Sequence, residues 1–432
     1  MYDFIALLMF PALFIAMLMG FHVAFSMMGI AMIFGILTFG DSTVFVFVST
    51  LEAVSSNFLL AAVPLFIFMG SVLERSGIAD RLFHAINLWT RNVPGGTALG
   101  TVALCIVFAA SAGVVGATEA IVGLLAIPAM MKQKYCHKLI SGVVCAGGSL
   151  GTVIPPSITV IIMGAVADVS IGALFQGMIV PGMMIAMSYI LYILFVAIKN
   201  PERAPKPIYD EDEIPDLSEK LKITLIALVP PIILIFAVLG TIIFGLAAPT
   251  EAAAIGALAS LFLAFFYKKL NIKVLNEAML KTVKVTSMIL MIFLAGSMFA
   301  GIFTASGGLA IMQDFIENTG FGIAGTLAIV LIIAFIGGFF LDWISIVLLV
   351  IPIFMPVMIS MGVDPIWFCI LFLIVIQTSY LTPPLAPAIF FMRGIAPPEI
   401  KLSDMYKGVI PFIIIHLIVL AVIIAFPNLV TL

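Results

Sequence analysis

The chain has 432 residues, 63% of them hydrophobic and 9% charged, with a formal net charge of −3. A mean hydropathy of +1.31 excludes a soluble globular chain, and so small a net charge argues against nucleic acid as a partner. The chain reads as an all-α polytopic membrane protein whose surroundings are the lipid bilayer.

Apolar runs lie at about 4–20, 23–39, 58–74, 93–131, 138–168 and 171–198, and a second series at about 222–246, 249–266, 286–305, 321–361, 365–396 and 409–427. Each single run is near the ~20 residues a helix needs to cross hydrocarbon. The first, Phe4 to Gly20, has no basic leader and no small-residue cleavage site, so it is expected to be a retained span. The amphipathic stretches 41–57 and 268–284 are candidates for arms between moving parts, or for helices lying on the membrane surface. Lys199 to Lys222, with Asp210-Glu211-Asp212-Glu213, is the extended polar stretch and is expected to be a cytoplasmic linker. The four cysteines have no paired spacing and are expected to pack.

The two series share one order. Ser76-Gly77 recurs as Ser306-Gly307 (offset 230), Gly96-Thr97 as Gly325-Thr326 (229), Pro128 as Pro352 (224) and Pro155-Pro156 as Pro383-Pro384 (228). Near-constant offsets indicate two copies of one unit, residues 1–198 and 223–432, joined by 199–222. All 19 Lys and Arg fall in the stretches 75–91, 132–138, 199–222, 268–284 and 393–407. If these are cytoplasmic, both termini are periplasmic, and acids such as Asp41, Glu52, Asp168, Asp314, Glu317 and Asp364 face outward. Each copy then crosses an odd number of times, so the second is inverted relative to the first.

Between Arg91 and Lys132 the one charge is Glu119, and between Glu317 and Asp364 it is Asp342. Length permits either a re-entrant hairpin or two full crossings in each stretch; the small residues Ser111 to Thr118 and Gly337-Gly338 favour hairpin tips. A carboxylate at the bilayer centre costs about 2.5–3.5 kcal/mol, which a bound cation, a proton or amides at a tip would offset. Glu251, just inside a helix start, reads as a cap. In Gly151-Thr152-Val153-Ile154-Pro155-Pro156-Ser157 and Thr378-Ser379-Tyr380-Leu381-Thr382-Pro383-Pro384, paired prolines break a helix and free carbonyls. Hydroxyls of Thr152, Ser157, Thr378, Ser379 and Thr382 then gather hard oxygen donors suited to Na⁺, while the following half-helix suits a carboxylate. The alternative is a proton-coupled carrier or channel for small anions that uses Glu119 and Asp342. No Walker loop, metal-ligand spacing or nucleophile–base set is present, which argues against an enzyme, an organic cofactor and ATP-driven transport by this chain.

Over its whole length the sequence resembles the large membrane subunit of tripartite ATP-independent periplasmic (TRAP) transporters, through 151–157, Gly338-Phe339-Phe340-Leu341-Asp342, Pro352-Ile353-Phe354-Met355-Pro356, Leu381-Thr382-Pro383-Pro384 and Pro249-Thr250-Glu251. The resemblance implies an elevator-type sodium symporter in the bacterial inner membrane, with two re-entrant helical hairpins (about 93–131 and 321–361) and two proline-broken helices (about 138–168 and 365–396). It also implies a small four-helix membrane subunit, a periplasmic substrate-binding protein, Na⁺ as coupling ion and an organic acid as substrate. Carried over by position, one sodium site comprises Ser111, Gly113, Gly116, Thr118, Gly151, Thr152 and Pro155. The other comprises Gly338, Asp342, Thr378, Thr382 and Pro383, with Ser157, Ser345, Ser379 and Glu119 as the candidates for contact with substrate.

Overall fold

The computed structural model describes residues 3–112, 116–206, 216–320 and 322–430, and among these it is all helical. The first half comprises α1 (Asp3–Leu18), α2 (Val23–Phe39), α3 (Ser42–Ser55), α4 (Ala62–Arg75), α5 (Ile78–Thr90), α6 (Gly96–Ala112), α7 (Ala117–Lys132), α8 (His137–Ser149), α9 (Ile158–Ala167) and α10 (Ile171–Lys199). The second half opens with α11 (Leu217–Ile235), which continues through a π turn into α12 (Thr241–Ile243). Then come α13 (Pro249–Phe266), α14 (Ile272–Ala305), α15 (Gly308–Thr319), α16 (Gly322–Gly337), α17 (Trp343–Ser360), α18 (Pro365–Leu381), α19 (Pro387–Ile395) and α20 (Leu402–Ala425).

The halves match element for element from the hairpin pairs α6–α7 and α16–α17 onward, and the landmarks behave alike. Gly77 and Gly307 both adopt left-handed φ (72° and 82°) and open α5 and α15. The copies touch through equivalent residues: Gln377 Nε2 donates to the Ser149 carbonyl at 3.3 Å, and the Tyr189 hydroxyl lies 2.5 Å from His416 Nε2. These partners are 228 and 227 positions apart, which is the repeat offset itself. Contact between a residue and its own equivalent occurs where a two-fold axis passes.

Two stretches differ from their expected outlines. The second amphipathic stretch is not a separate surface helix: α14 runs unbroken from Ile272 to Ala305, because 272–295 holds neither Gly nor Pro. In the first half Ser56-Asn57 interrupts the chain, with Asn57 capping Leu59, so α3 and α4 are distinct. The expected linker is helical from Leu217, and that start is held by Lys220 stacked 4.1 Å over Trp89 and by Trp89 Nε1 donating to Thr224. Residues 207–215, with the acidic run 210–213, lie outside the described residues.

Hairpin α6–α7 is closed at its base by Thr97 Oγ1 donating to Gln133 at 2.6 Å. Both ends therefore sit together, and arms of 17 and 16 residues measure about 25 Å, short of the ~30 Å hydrocarbon thickness. Its tip meets α8 at Gly148, at the helix break, as a re-entrant hairpin does. Helix α8 lies backbone to backbone on α20: a Cβ on Gly408 would fall 2.2 Å from the Lys138 carbonyl oxygen. We expect Gly408→Ala to lower stability by about 1–3 kcal/mol through that overlap. Gly301→Ala, where a Cβ meets nothing within 4 Å, should not lower it; thermal unfolding of the purified protein in detergent compares the two.

Candidate functional site

Each broken helix is built from what its prolines remove. A helical proline supplies no N–H to the carbonyl four residues earlier. Pro155 and Pro156 therefore abandon Gly151 and Thr152, and Pro383 and Pro384 abandon Ser379 and Tyr380. The Ser157 hydroxyl replaces the donor to Thr152 (3.1 Å) and the Thr382 amide the donor to Ser379 (3.0 Å). Among the described residues the Gly151 and Tyr380 carbonyls receive no replacement. Both residues are buried; Gly151 stands four before the first proline of its pair and Tyr380 four before the second, so the two unrepaired carbonyls are one position out of register in the repeat. A buried carbonyl without a donor costs about 1–3 kcal/mol, so the fold keeps two such groups against a penalty.

The hydroxyls of the same loops bond to other carbonyls of their own segments. Thr152 Oγ1 donates to Ser149 (2.9 Å), Thr378 to Ile374 (2.7 Å), Thr382 to Thr378 (2.7 Å) and Ser379 to Ile376 (2.8 Å). A hydroxyl that has committed its proton to its own helix keeps oxygen lone pairs for another ligand. Both Pro155–Pro156 and Pro383–Pro384 are cis, and the chain resumes as α9 at Ile158 and as α19 at Pro387.

The hairpin tips close on these breaks. At the first, Gly116 (φ 88°) opens α7, and Glu119 Oε2 accepts from the Gly116 amide at 2.5 Å. Glu119 is fully buried, against Gly148 of the first break and beside the Tyr380 hydroxyl of the second, while Gly116 abuts Phe391 of α19. At the second tip, Asp342 caps α17, accepting from the Ile344 amide (3.2 Å) and the Ser345 hydroxyl. Gly338 is pressed so closely on Ser379 that a Cβ would lie 2.0 Å from its Oγ. Both acids, the buried Glu119 and the half-buried Asp342, are thus held by helix N-terminal amides, as Glu251 is at α13, where it accepts from Ala248 at 2.8 Å.

Between the tips, the second break and α14 lies a cavity of about 650 Å³. Gly116, Gly338, Asp342, Ser379, Tyr380 and Phe391 form one wall, while Val285, Met288, Ile289 and Ile292 of α14 form the other. It runs out to the exposed His22 and to Lys281, which binds Glu74 of α4 at 2.5 Å; beside that pair Arg75 binds Glu277 at 3.2 Å. Apart from Lys281 and Asp342, no described lining residue carries a full charge.

Of the expected site residues, Glu119 meets the end of α8 at Gly148, Gly338 packs on Ser379, and Gly116, Gly338, Asp342 and Ser379 share the cavity wall; Thr118, Gly151, Thr152, Pro155, Ser345, Thr378, Thr382 and Pro383 do not line it. Ser379 lines the cavity; Ser157, Ser345 and Glu119 are buried behind its wall in the hydrogen bonds given above. Ser111 ends α6 with its side chain outside the described residues, and Gly113 lies outside them altogether. Sequence reasoning missed the Tyr380 carbonyl, Gln377 and Lys281. Counting four residues back from each proline would have found the first.

A cap role for Asp342 has a measurable size. Asp342→Ala should cost about 1 kcal/mol or more of thermal stability and Asp342→Asn much less, since an amide oxygen still accepts from the Ile344 amide. Unfolding of both variants in sodium-free buffer, where no bound cation contributes, reads the cap alone.

Two helical halves with the same order of elements, each with a hairpin tip set against a proline-broken helix, define a polytopic membrane permease. The family model of the tripartite ATP-independent periplasmic transporter, DctM component, matches residues 10–429, and the chain belongs to that family. It is 30% identical over 394 residues to the C4-dicarboxylate TRAP transporter large permease protein DctM of Pseudomonas aeruginosa, covering 91% of this chain and 90% of that protein. It is 27% identical over 411 residues to the sialic acid TRAP transporter large permease protein SiaM of Vibrio cholerae, covering 95% and 93%. Among solved structures, the YdaH transporter of Alcanivorax borkumensis superposes with a TM-score of 0.63 at 16% identity, over 90% of this chain and 89% of that one, a likeness of fold.

Proposed function

We propose that the chain is the large membrane subunit of a sodium-coupled symporter that carries an organic acid anion across the bacterial inner membrane. The observation that carries this reading is one carbonyl without a donor in each proline-broken loop, Gly151 and Tyr380, in loops that also carry hydroxyl oxygens and lie beside the hairpin tips. Oxygen donors in this number, with no cluster of nitrogen or sulfur ligands among the described residues, suit a hard monovalent cation. The first site takes the α6–α7 tip with Gly151, Thr152 and Pro155; the second takes Gly338 and Asp342 with Thr378, Thr382 and Pro383.

The anion sits in the cavity, its carboxylate directed at the N-terminal end of α19 and at the cations beside it. The relatives are named for a C4-dicarboxylate and for sialic acid, both carboxylates, and a cavity of about 650 Å³ accommodates either size. A periplasmic protein delivers the substrate, and a small four-helix membrane subunit completes the assembly. The cavity opens toward Lys281 and His22, on the side where the positive-inside rule places the cytoplasm, so this is an inward-facing arrangement with both termini periplasmic. Helices α4, α13 and α14 act as the scaffold, and the hairpins with the broken helices slide against them as an elevator.

The test is uptake of labelled organic acids into proteoliposomes holding this chain with its small subunit, with the binding protein outside. Uptake is expected only with an inward Na⁺ gradient and the binding protein present. Uptake that follows a proton gradient without Na⁺ would instead give coupling to Glu119 and Asp342 and sink the sodium assignment.

A further inference from the structure

We propose that Gln377 couples the two proline-broken loops, so that a monovalent cation bound in one raises the affinity of the other; this rests on the symport reading above. Helix α18 is apolar from Ile366 to Ile376, and Gln377 is fully buried. Its neighbours Thr378 and Ser379 bond only within their own helix, whereas Gln377 Nε2 crosses to the other repeat. There it donates to both the carbonyl and the Oγ of Ser149, each at 3.3 Å. The same Ser149 carbonyl accepts Thr152 Oγ1 at 2.9 Å, and Thr382 Oγ1 is held on the Thr378 carbonyl at 2.7 Å.

Hydrogen bonds join Thr152 to Ser149 and Ser149 to Gln377, and the Gln377 side chain and the following peptide lead on to Thr378, whose carbonyl holds Thr382; the two sets of hydroxyls proposed to ligate cations are linked in this way. A cation on the Thr152 oxygen polarises its O–H and strengthens its bond to the Ser149 carbonyl, and so changes the pull of that carbonyl on the Gln377 amide that shares it. That pull acts on the peptide leading to Thr378. A residue kept only for packing would not account for Gln377 Oε1, which is buried with no partner. A leucine or methionine would fill the space without stranding that oxygen.

The experiment compares wild type, Gln377→Met and Ser149→Ala in the reconstituted complex, reading the Na⁺ dependence of uptake and equilibrium ²²Na⁺ binding. Wild type should show a Hill coefficient of about 2. Gln377→Met should fall to about 1, with at least a fivefold weaker apparent Na⁺ affinity and the same number of ions bound at saturation. Ser149→Ala, which removes one of the two acceptors, should fall between them. Folded Gln377→Met protein with wild-type cooperativity and affinity overturns the inference and leaves the symport reading intact. If Gln377→Met does not fold, an unchanged Ser149→Ala overturns it equally. Sodium-independent uptake by wild type removes the symport reading and this inference with it.

Discussion

Away from water a backbone carbonyl must find a donor inside the protein, and this fold is arranged around two places where paired prolines take that donor away. Everything near the cavity answers to that deficit. The Ser157 hydroxyl and the Thr382 amide repair one carbonyl in each loop, while glycines at 116 and 338 let a hairpin tip approach the loop without a Cβ between. What remains unrepaired is one carbonyl in each copy, Gly151 and Tyr380. A defect retained in both copies reads as function, because replacing Pro155 in the first or Pro384 in the second would return the missing donor.

The internal symmetry has a physical centre. Ser149 with Gln377 and Tyr189 with His416 pair equivalent residues of the two halves, so the axis runs between the broken helices and between α10 and α20. Placing polar contacts there makes register between the copies specific where apolar packing alone would tolerate sliding. The close glycine contact of α20 on α8 fixes the spacing of the same elements. Symmetry fails at the periphery: α14 is one rigid rod tied to α4 by Lys281–Glu74 and Arg75–Glu277, while its counterpart is broken at Ser56-Asn57.

Much of this was legible in the sequence, for reasons that differ by element. Hydropathy fixed the spans because lipid leaves a helix no alternative, and the offset of Pro155-Pro156 from Pro383-Pro384 exposed the repeat because prolines at membrane depth are seldom neutral. The continuity of α14 was not legible, since an amphipathic stretch and an apolar one look like separate elements unless the absence of a breaker between them is weighed. The helical start at Leu217 was hidden by charges that turn out to be held on Trp89. Glu119 and Asp342 looked like ion ligands because a lone acid in hydrocarbon demands a partner. Which partner it has depends on where the chain turns, and the amides of Gly116 and Ile344 are set by tertiary structure.

Those capped acids bear on how cation and anion binding become linked. Asp342 lines the cavity, so an anion entering it meets a like charge; at a separation on the order of 6 Å and an effective dielectric near 20 the repulsion is about 3 kcal/mol. Lys281 cannot offset it fully, because Glu74 already holds that ammonium. On the proposed reading, a monovalent cation at the second loop cancels the carboxylate's charge and so removes the repulsion the anion would meet, and its absence leaves the cavity hostile to the substrate. Coupling then needs no direct contact between ion and solute. It requires only that the carboxylate be fixed in place, which its two hydrogen bonds at the start of α17 accomplish.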